Sequence, residues 1–473
     1  LQRKLFKNLL SSGLQAIAVQ ILGVAFFYLL SLYIPKEDFG TIGWANAMSM
    51  FLVTLLSFGM EQVVVRRIAA SNSSNWAAAA YLFHTFACSL ITTLFLFVLG
   101  FFISDNSIYH FLPLFFAAQS LIFIATPLKQ FLNAKEKFTP YAIIALISNG
   151  GKVLLLFTLL KCNALSVQSV SYIFIAFGLF ELVALLVYVL SQRSLDFKLR
   201  FKFSAYGKLI KESFPQFLSV IFDSSLSRVD WILLGILSTK AATADYSFAY
   251  RAYELLKLPL VILGPVILVK YSKLMSGNGF TKQKSYETGR FLAIEIFISV
   301  IILLVANVCW SPLIDSLTKG KYGTSNSMIF LAISLCLPLQ FAINLFWTVC
   351  FSAKKYRQIA RITFVTAIIN LALNIILIPR YGGMGAAGAY LVANLLQAVA
   401  YFNLTRRLEY NISMTALLVL PALGVCMYLL SVWITPIPAL QLIIAIILFT
   451  AVSFILKQVQ KKDVEILASY LKK

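Results

Sequence analysis

A chain of 473 residues that is 60% hydrophobic, only 12% charged and has a mean hydropathy of +0.86 is too apolar to be a soluble protein. Its net charge of +22 would suit nucleic acid, but no base-stacking platform accompanies the basic loops, so no nucleic-acid partner is expected. The apolar runs are helix-length for a bilayer of roughly 30 Å, not the ~10-residue alternating strands of a barrel, and the chain reads as an all-α integral membrane protein.

The first element, "LQRKLFKNLLSSGLQAIAVQILG", has the basic front and apolar run of an export signal. No small-residue cleavage site follows, so an uncleaved first helix is expected over 9–33. Five more spans follow at 40–60, 78–103, 110–132, 138–160 and 168–190, and six others at 214–237, 246–270, 288–309, 326–351, 360–379 and 385–404. Two final spans, 412–434 and 438–456, bring the expected total to fourteen. The corresponding domains are an N-lobe over 1–191, a C-lobe over 192–404, and a last pair with a cytoplasmic tail over 405–473.

Alternate loops, taken with the span ends that flank them (129–137, with Lys129, 270–290 and 352–361 among them), carry thirty of the forty Lys and Arg residues, the opposite loops six, and the remaining four, Lys152, Arg228, Arg251 and Lys257, lie deeper within spans. That asymmetry places both termini in the cytoplasm and accounts for the basic pI. Loops such as "QRSLDFKLRFKF" should rest on anionic lipid headgroups. The six cysteines are scattered and the two histidines isolated, so no disulfide frame, metal site or cofactor is expected. Loops on the non-cytoplasmic side are short, the longest being "WSPLIDSLTKGKYGTSN", and no phosphate-cradling glycine loop exists. An enzyme domain at the outer surface and an ATP-driven pump are both disfavoured.

The chain also repeats itself. "QFLNAKEKFTPYAIIALISNGGKVLLLF" resembles "CFSAKKYRQIARITFVTAIINLALNIIL" at an offset of 219, with Ala134-Lys135 opposite Ala353-Lys354. "SLYIPKEDFGTIGWANAMSM" similarly resembles "GILSTKAATADYSFAYRAYE", with Phe39 opposite Tyr246. Six spans separate the members of each pair, as in two parallel lobes with a binding site between them near the midplane.

"INLALNIILIPRYGGMGAAGAYLVAN", the opening through "MEQVVVRRIA", and "RVDWILLGILSTKAATADYSFAYRAYE" resemble helices eleven and twelve, one and two, and seven and eight of the multidrug/oligosaccharidyl-lipid/polysaccharide exporter superfamily. Fourteen spans are most similar to its polysaccharide (Wzx-type) branch. The resemblance implies a non-enzymatic flippase in the bacterial cytoplasmic membrane. Its substrate would be an undecaprenyl-diphosphate-linked oligosaccharide for O-antigen, capsule or exopolysaccharide, with other polysaccharide-assembly enzymes as partners. The resemblance also places spans one, two, seven and eight around the cavity.

Charges within these spans are expensive unless paired or hydrated. Arg228 and Asp230 lie about 200° apart on one helix, so at least one should face a cavity. Arg251, Glu254 and Lys257 form a polar stripe flanked by Tyr250 and Tyr253. Two readings stay open: acids and bases neutralise one another across the hairpin of spans seven and eight, or the bases Arg251, Arg228, Lys257 and Lys152 hold a diphosphate. Glycan hydroxyls would be met by Tyr250, Tyr253, Gln216 and Asn46, while Asp230 and Glu295 are candidates for a Na⁺ or H⁺ coupling ion. Alternatives are a cation-coupled multidrug exporter of the same fold and, against the short loops, a lipid-glycan polymerase or ligase.

Overall fold

The computed structural model describes residues 2–70, 76–103, 107–192, 195, 197, 203–260, 264, 267, 268, 271, 282–408, 415–460 and 463. Among these there is no strand. The helices are α1 (Gln2–Tyr33), α2 (Lys36–Leu56), α3 (Met60–Ala70), α4 (Trp76–Gly100), α5 (Leu112–Ala134), α6 (Phe138–Lys161), α7 (Val167–Ser191) and α8 (Phe203–Leu237). They continue as α9 (Lys240–Leu256), α10 (Lys282–Thr318), α11 (Ser327–Ser334), α12 (Cys336–Ser352), α13 (Tyr356–Arg407), α14 (Thr415–Ile434) and α15 (Pro438–Ile455). The all-helical membrane class expected from the sequence is the class observed.

Ten described stretches are long and apolar enough to cross a membrane, and the apolar end of α1, Ala18–Tyr33, is a shorter one. The expected spans at 214–237 and 246–270 are not among them. No 18-residue stretch of α8 has fewer than three charged side chains, and α9 has only 17 residues. The second half of the 246–270 span lies largely outside the described residues, as does most of the basic 270–281 segment and of the tail after 460.

Local differences have identifiable causes. The 61–77 segment, expected as a loop, begins with α3, where Met60, Val63, Val64 and Ile68 form one buried face at helical spacing. The expected spans 360–379 and 385–404 are the two helical halves of the 52-residue α13. Its break is not at Pro379 but at Gly382, whose φ of 52° and ψ of −130° only glycine adopts readily. The 310–326 segment, expected as the longest outer loop, continues α10 to Thr318 and then folds into a turn in which Asp315 accepts hydrogen bonds from the Thr324 amide at 2.9 Å and its hydroxyl at 2.5 Å. Asn326 ties that turn to the Asp245 carbonyl at 3.1 Å and accepts from the Trp310 indole at 3.0 Å.

The two turns aligned by the sequence repeat close in the same way. At the end of α5, Glu136 has a φ of 56° and the Lys137 amide donates to the Leu132 carbonyl at 2.9 Å. At the end of α12, Lys354 has a φ of 58° and the Lys355 amide donates to Cys350 at 3.0 Å. Both are Schellman closures. Their register is 218, one residue short of the offset that aligned Ala134-Lys135 with Ala353-Lys354. α2 and α9 start 204 residues apart, so Phe39 falls opposite Thr243, three residues from Tyr246 and nearly one turn away.

The chain divides into two compact units, Leu1–Ala244 and Asp245–Lys473. In the first, α5 packs against α4, α7, α2 and α3, burying Phe123, Leu128, Phe131 and Leu132 against Tyr81 and Leu185. α2 and α8 lock together where small residues permit close approach. The Trp44 indole donates to the Ile232 carbonyl at 3.0 Å, and its ring fills the space a Cβ on Gly235 would need. A Cβ on Gly40 would likewise strike the Lys240 carbonyl. Gly235→Ala is therefore expected to destabilise this unit by about 1–3 kcal/mol, read as a lower melting temperature in detergent. An unchanged melting temperature would show that the Trp44 ring gives way freely.

At the other end of α2, Phe58 stacks on Phe217 with ring centroids 4.3 Å apart. Arg67 of α3 clasps Glu212 through two nitrogens, one at 2.9 Å, while its guanidinium lies 5.2 Å from the Trp76 ring. Glu212 precedes the apolar part of α8, and its hydrogen bonds from Arg67 hold its carboxyl below the usual carboxylate range. Because the folded value is depressed, this clasp contributes stability above the unfolded glutamate value of about 4.3, and the contribution is lost as pH falls through the folded value. Glu212→Gln should melt lower than wild type at pH 7, and the gap should close in acid. A gap that is constant between pH 7 and 4 would contradict this.

In the second unit, α10 packs on α11, α12, α14 and α15, and α12 on α13. Phe297 stacks on Phe449 at 5.2 Å, and a Cβ on Gly424 would press on Val300 at 2.6 Å. Arg290 fastens the start of α10 to Asp463, with one contact at 2.8 Å.

Candidate functional site

α9 presents Tyr246, Tyr250 and Tyr253 at helical spacing, all three buried, and Lys257 follows in the turn after it. Tyr250 and Tyr253 meet Tyr390 of α13 at centroid distances of 6.0 and 6.3 Å. The Lys257 ammonium lies 4.8 Å from the Tyr253 ring and 5.7 Å from Tyr250, a cation held on aromatic faces. Tyr390 was not anticipated: one tyrosine in a long apolar helix carries no sequence signal. Its carbonyl accepts from Asn394 at 2.8 Å, and Asn394 in turn accepts from Gln340.

The expected stripe on α9 divides in two. Arg251 donates to Glu254 on its own helix at 2.8 Å, with side chains 34% and 26% exposed. Lys257, in the turn after Leu256, reaches the tyrosine rings instead. Arg251 and Glu254 thus form a half-open ion pair bordered by an enclosed aromatic cluster. Such a pair is readily rearranged, and a guanidinium so placed offers a planar fork to an oxyanion.

The remaining sequence candidates are dispersed. Asp230 is fully buried and accepts from the Trp231 amide at 2.9 Å, whereas Arg228 is half-buried. Asn46 is half-buried and accepts from Gln119 of α5 at 2.9 Å, and Gln216 is half-buried on α8. Lys152 lies on the buried face of α6 with Ala145, Ser148 and Leu156, its ammonium 5.7 Å from the Phe174 ring. Glu295 is buried on α10 and both its carboxyl oxygens lack a hydrogen-bond partner.

One charge was misassigned from sequence. Lys129, counted among the cytoplasmic loop cations, lies inside α5 and binds Glu181 of α7 at 2.6 Å, with side chains 12% and 7% exposed. The available signal was Glu181 itself, an acid in the middle of a 25-residue apolar helix that requires a cation nearby.

The described helices share their fold with solved membrane transporters. The chain aligns with "Lipid II flippase MurJ, inward closed conformation" at a TM-score of 0.75, 18% identity, and coverage of 94% of this chain and 98% of that one. An inward-facing multidrug resistance MATE family transporter aligns at a TM-score of 0.64 and 13% identity over 84% of this chain and 95% of that one. A MOP superfamily transporter from Pyrococcus furiosus, described as having a binding pocket of reverse polarity, aligns at 0.59 and 11% identity, covering 86% and 95%. No curated protein sequence matches the chain.

The polysaccharide biosynthesis protein family model matches residues 5–270, more than half of the sequence. The chain belongs to that family.

Proposed function

We propose that this protein is a flippase that carries undecaprenyl-diphosphate-linked oligosaccharides from the cytoplasmic to the outer leaflet of the bacterial cytoplasmic membrane. The glycan would be destined for O-antigen, capsule or exopolysaccharide, and polysaccharide-assembly enzymes would be partners. Membership of a polysaccharide biosynthesis family and the similarity to a lipid II flippase both support this reading. The observation that carries the reading is the Arg251–Glu254 pair beside the Lys257-tyrosine cluster. On this reading a diphosphate displaces Glu254 from Arg251 and draws Lys257 from its rings, exchanging an internal ion pair for charge-assisted bonds to substrate. Arg228 contributes from α8, and Asn46 and Gln216 meet sugar hydroxyls. Tyr250 and Tyr253 are enclosed and act by positioning Lys257, and Lys152 braces α6 against α7.

The reading includes fourteen crossings with both termini cytoplasmic, and lobes over 1–191 and 192–404 that alternate in access, with 405–473 as an appendix. It assigns no catalytic step to the protein. Thermal stabilisation of the purified protein by undecaprenyl diphosphate, and not by undecaprenyl monophosphate or tetraphenylphosphonium, is the expected binding result.

A second reading, a cation-coupled drug exporter, is favoured by Asp223 on α8, which is exposed and unpaired among the described residues. Stabilisation by tetraphenylphosphonium alone, abolished in Asp223→Asn, would favour it.

A further inference from the structure

We infer that Glu295 is a proton-binding site through which this transporter exchanges H⁺, with the proton bound in the conformation described. Glu295 is the fifth of six consecutive residues of α10, Phe291 to Ile296, that are all buried. Among the described residues neither carboxyl oxygen has a hydrogen-bond partner. Of the described elements that touch α10, α11, α12, α14 and α15 carry no charged residue, their titratable groups being Cys336 and Cys350 on α12 and Cys426 and Tyr428 on α14; α9, which carries Lys240, Asp245, Arg251 and Glu254, meets α10 through Phe248 at Trp310, roughly 22 Å along the helix from Glu295. Tyr271, which meets α10 from the preceding segment, gives its hydroxyl to Thr288. On α10 itself the nearest cation, Arg290, is bound to Asp463 and sits five positions away, about 140° around the helix.

An ionised carboxylate there has no counter-ion among the described residues, and its desolvation is far more costly than that of the neutral acid. A hard cation such as sodium needs several oxygen ligands around it, and among the described residues no polar group lies within hydrogen-bond reach of either Glu295 oxygen. A proton needs only the carboxyl. Asp230, the other acid considered as an ion site, differs in that its carboxylate accepts a backbone hydrogen bond. Binding and release are a simple acid–base exchange: Glu295 takes H⁺ from water when a conformational opening hydrates α10, and returns it when hydrated again on the opposite side.

The inference rests on the transporter reading, and its test separates the two. Infrared spectra of the detergent-solubilised protein at pH 7 should show a neutral carboxyl C=O band that is missing in Glu295→Gln, while that variant melts no lower than wild type. In sealed liposomes, movement of labelled undecaprenyl-diphosphate oligosaccharide should respond to an imposed pH gradient in wild type and not in Glu295→Gln. Absence of the band, or wild-type movement indifferent to the gradient, overturns the proton site and leaves the flippase standing. If wild type moves no lipid probe, the flippase reading falls, and the band together with gradient-driven tetraphenylphosphonium efflux decides the proton site.

Discussion

Replacing Lys129 with methionine should destabilise the protein by about 3–5 kcal/mol, because Glu181 would be left as a buried carboxylate without its cation. The ammonium of Lys129 is 2.6 Å from Glu181 and 5.1 Å from the Tyr141 ring, whereas Lys152 is close enough only to be felt electrostatically. The loss should therefore not be made good by Lys152. Removing both charges in Lys129→Met/Glu181→Leu should recover most of the stability, since an apolar pair avoids desolvation altogether. Chemical denaturation in mixed micelles checks both variants. A single substitution that costs no more than an exposed ion pair, up to about 1 kcal/mol, would show that water reaches this pair.

Arg251→Gln should lower the affinity for undecaprenyl diphosphate by roughly 10- to 150-fold, the range for losing a hydrogen bond from a charged donor at a half-buried site. Glu254→Gln is the informative companion. If Arg251 is reserved for a diphosphate, releasing it from Glu254 should preserve or tighten binding, and the two substitutions should act in opposite directions. If the pair only holds α9 in place, both should lower stability alike and neither should discriminate diphosphate from monophosphate. Thermal shift titrations with the two lipids, together with the melting temperatures without ligand, separate these outcomes.

The membrane class was legible because repeated helix-length apolar runs suit little besides a bilayer, and α4 to α7 begin and end within a few residues of expectation. The parts less legible are those where charge interrupts the pattern. α8 and α9 carry their polar residues inside the helices, so hydropathy alone does not define them as spans. α3 looked like a loop because Arg66, Arg67 and Glu61 mask a one-sided apolar face. Lys129 was assigned to a loop because Lys135 and Lys137 follow it closely, although its partner lies 52 residues away on α7. The repeat was legible in sequence but its register was not, because identical side chains drew the alignment one residue from the Schellman turns that define it. Of the candidate site, the charged positions on α9 could be named in advance. Their pairing could not, since which side chains meet depends on Tyr390 arriving from α13.

The most direct test of the central claim is leaflet crossing of a labelled undecaprenyl-diphosphate oligosaccharide in sealed liposomes containing the purified protein, beside Arg251→Gln. The account predicts that wild type exposes the probe to an impermeant quencher far faster than protein-free vesicles, and that a folded Arg251→Gln is at least roughly tenfold slower. A wild-type rate equal to that of empty vesicles, with organic cations leaving the same liposomes, would contradict it.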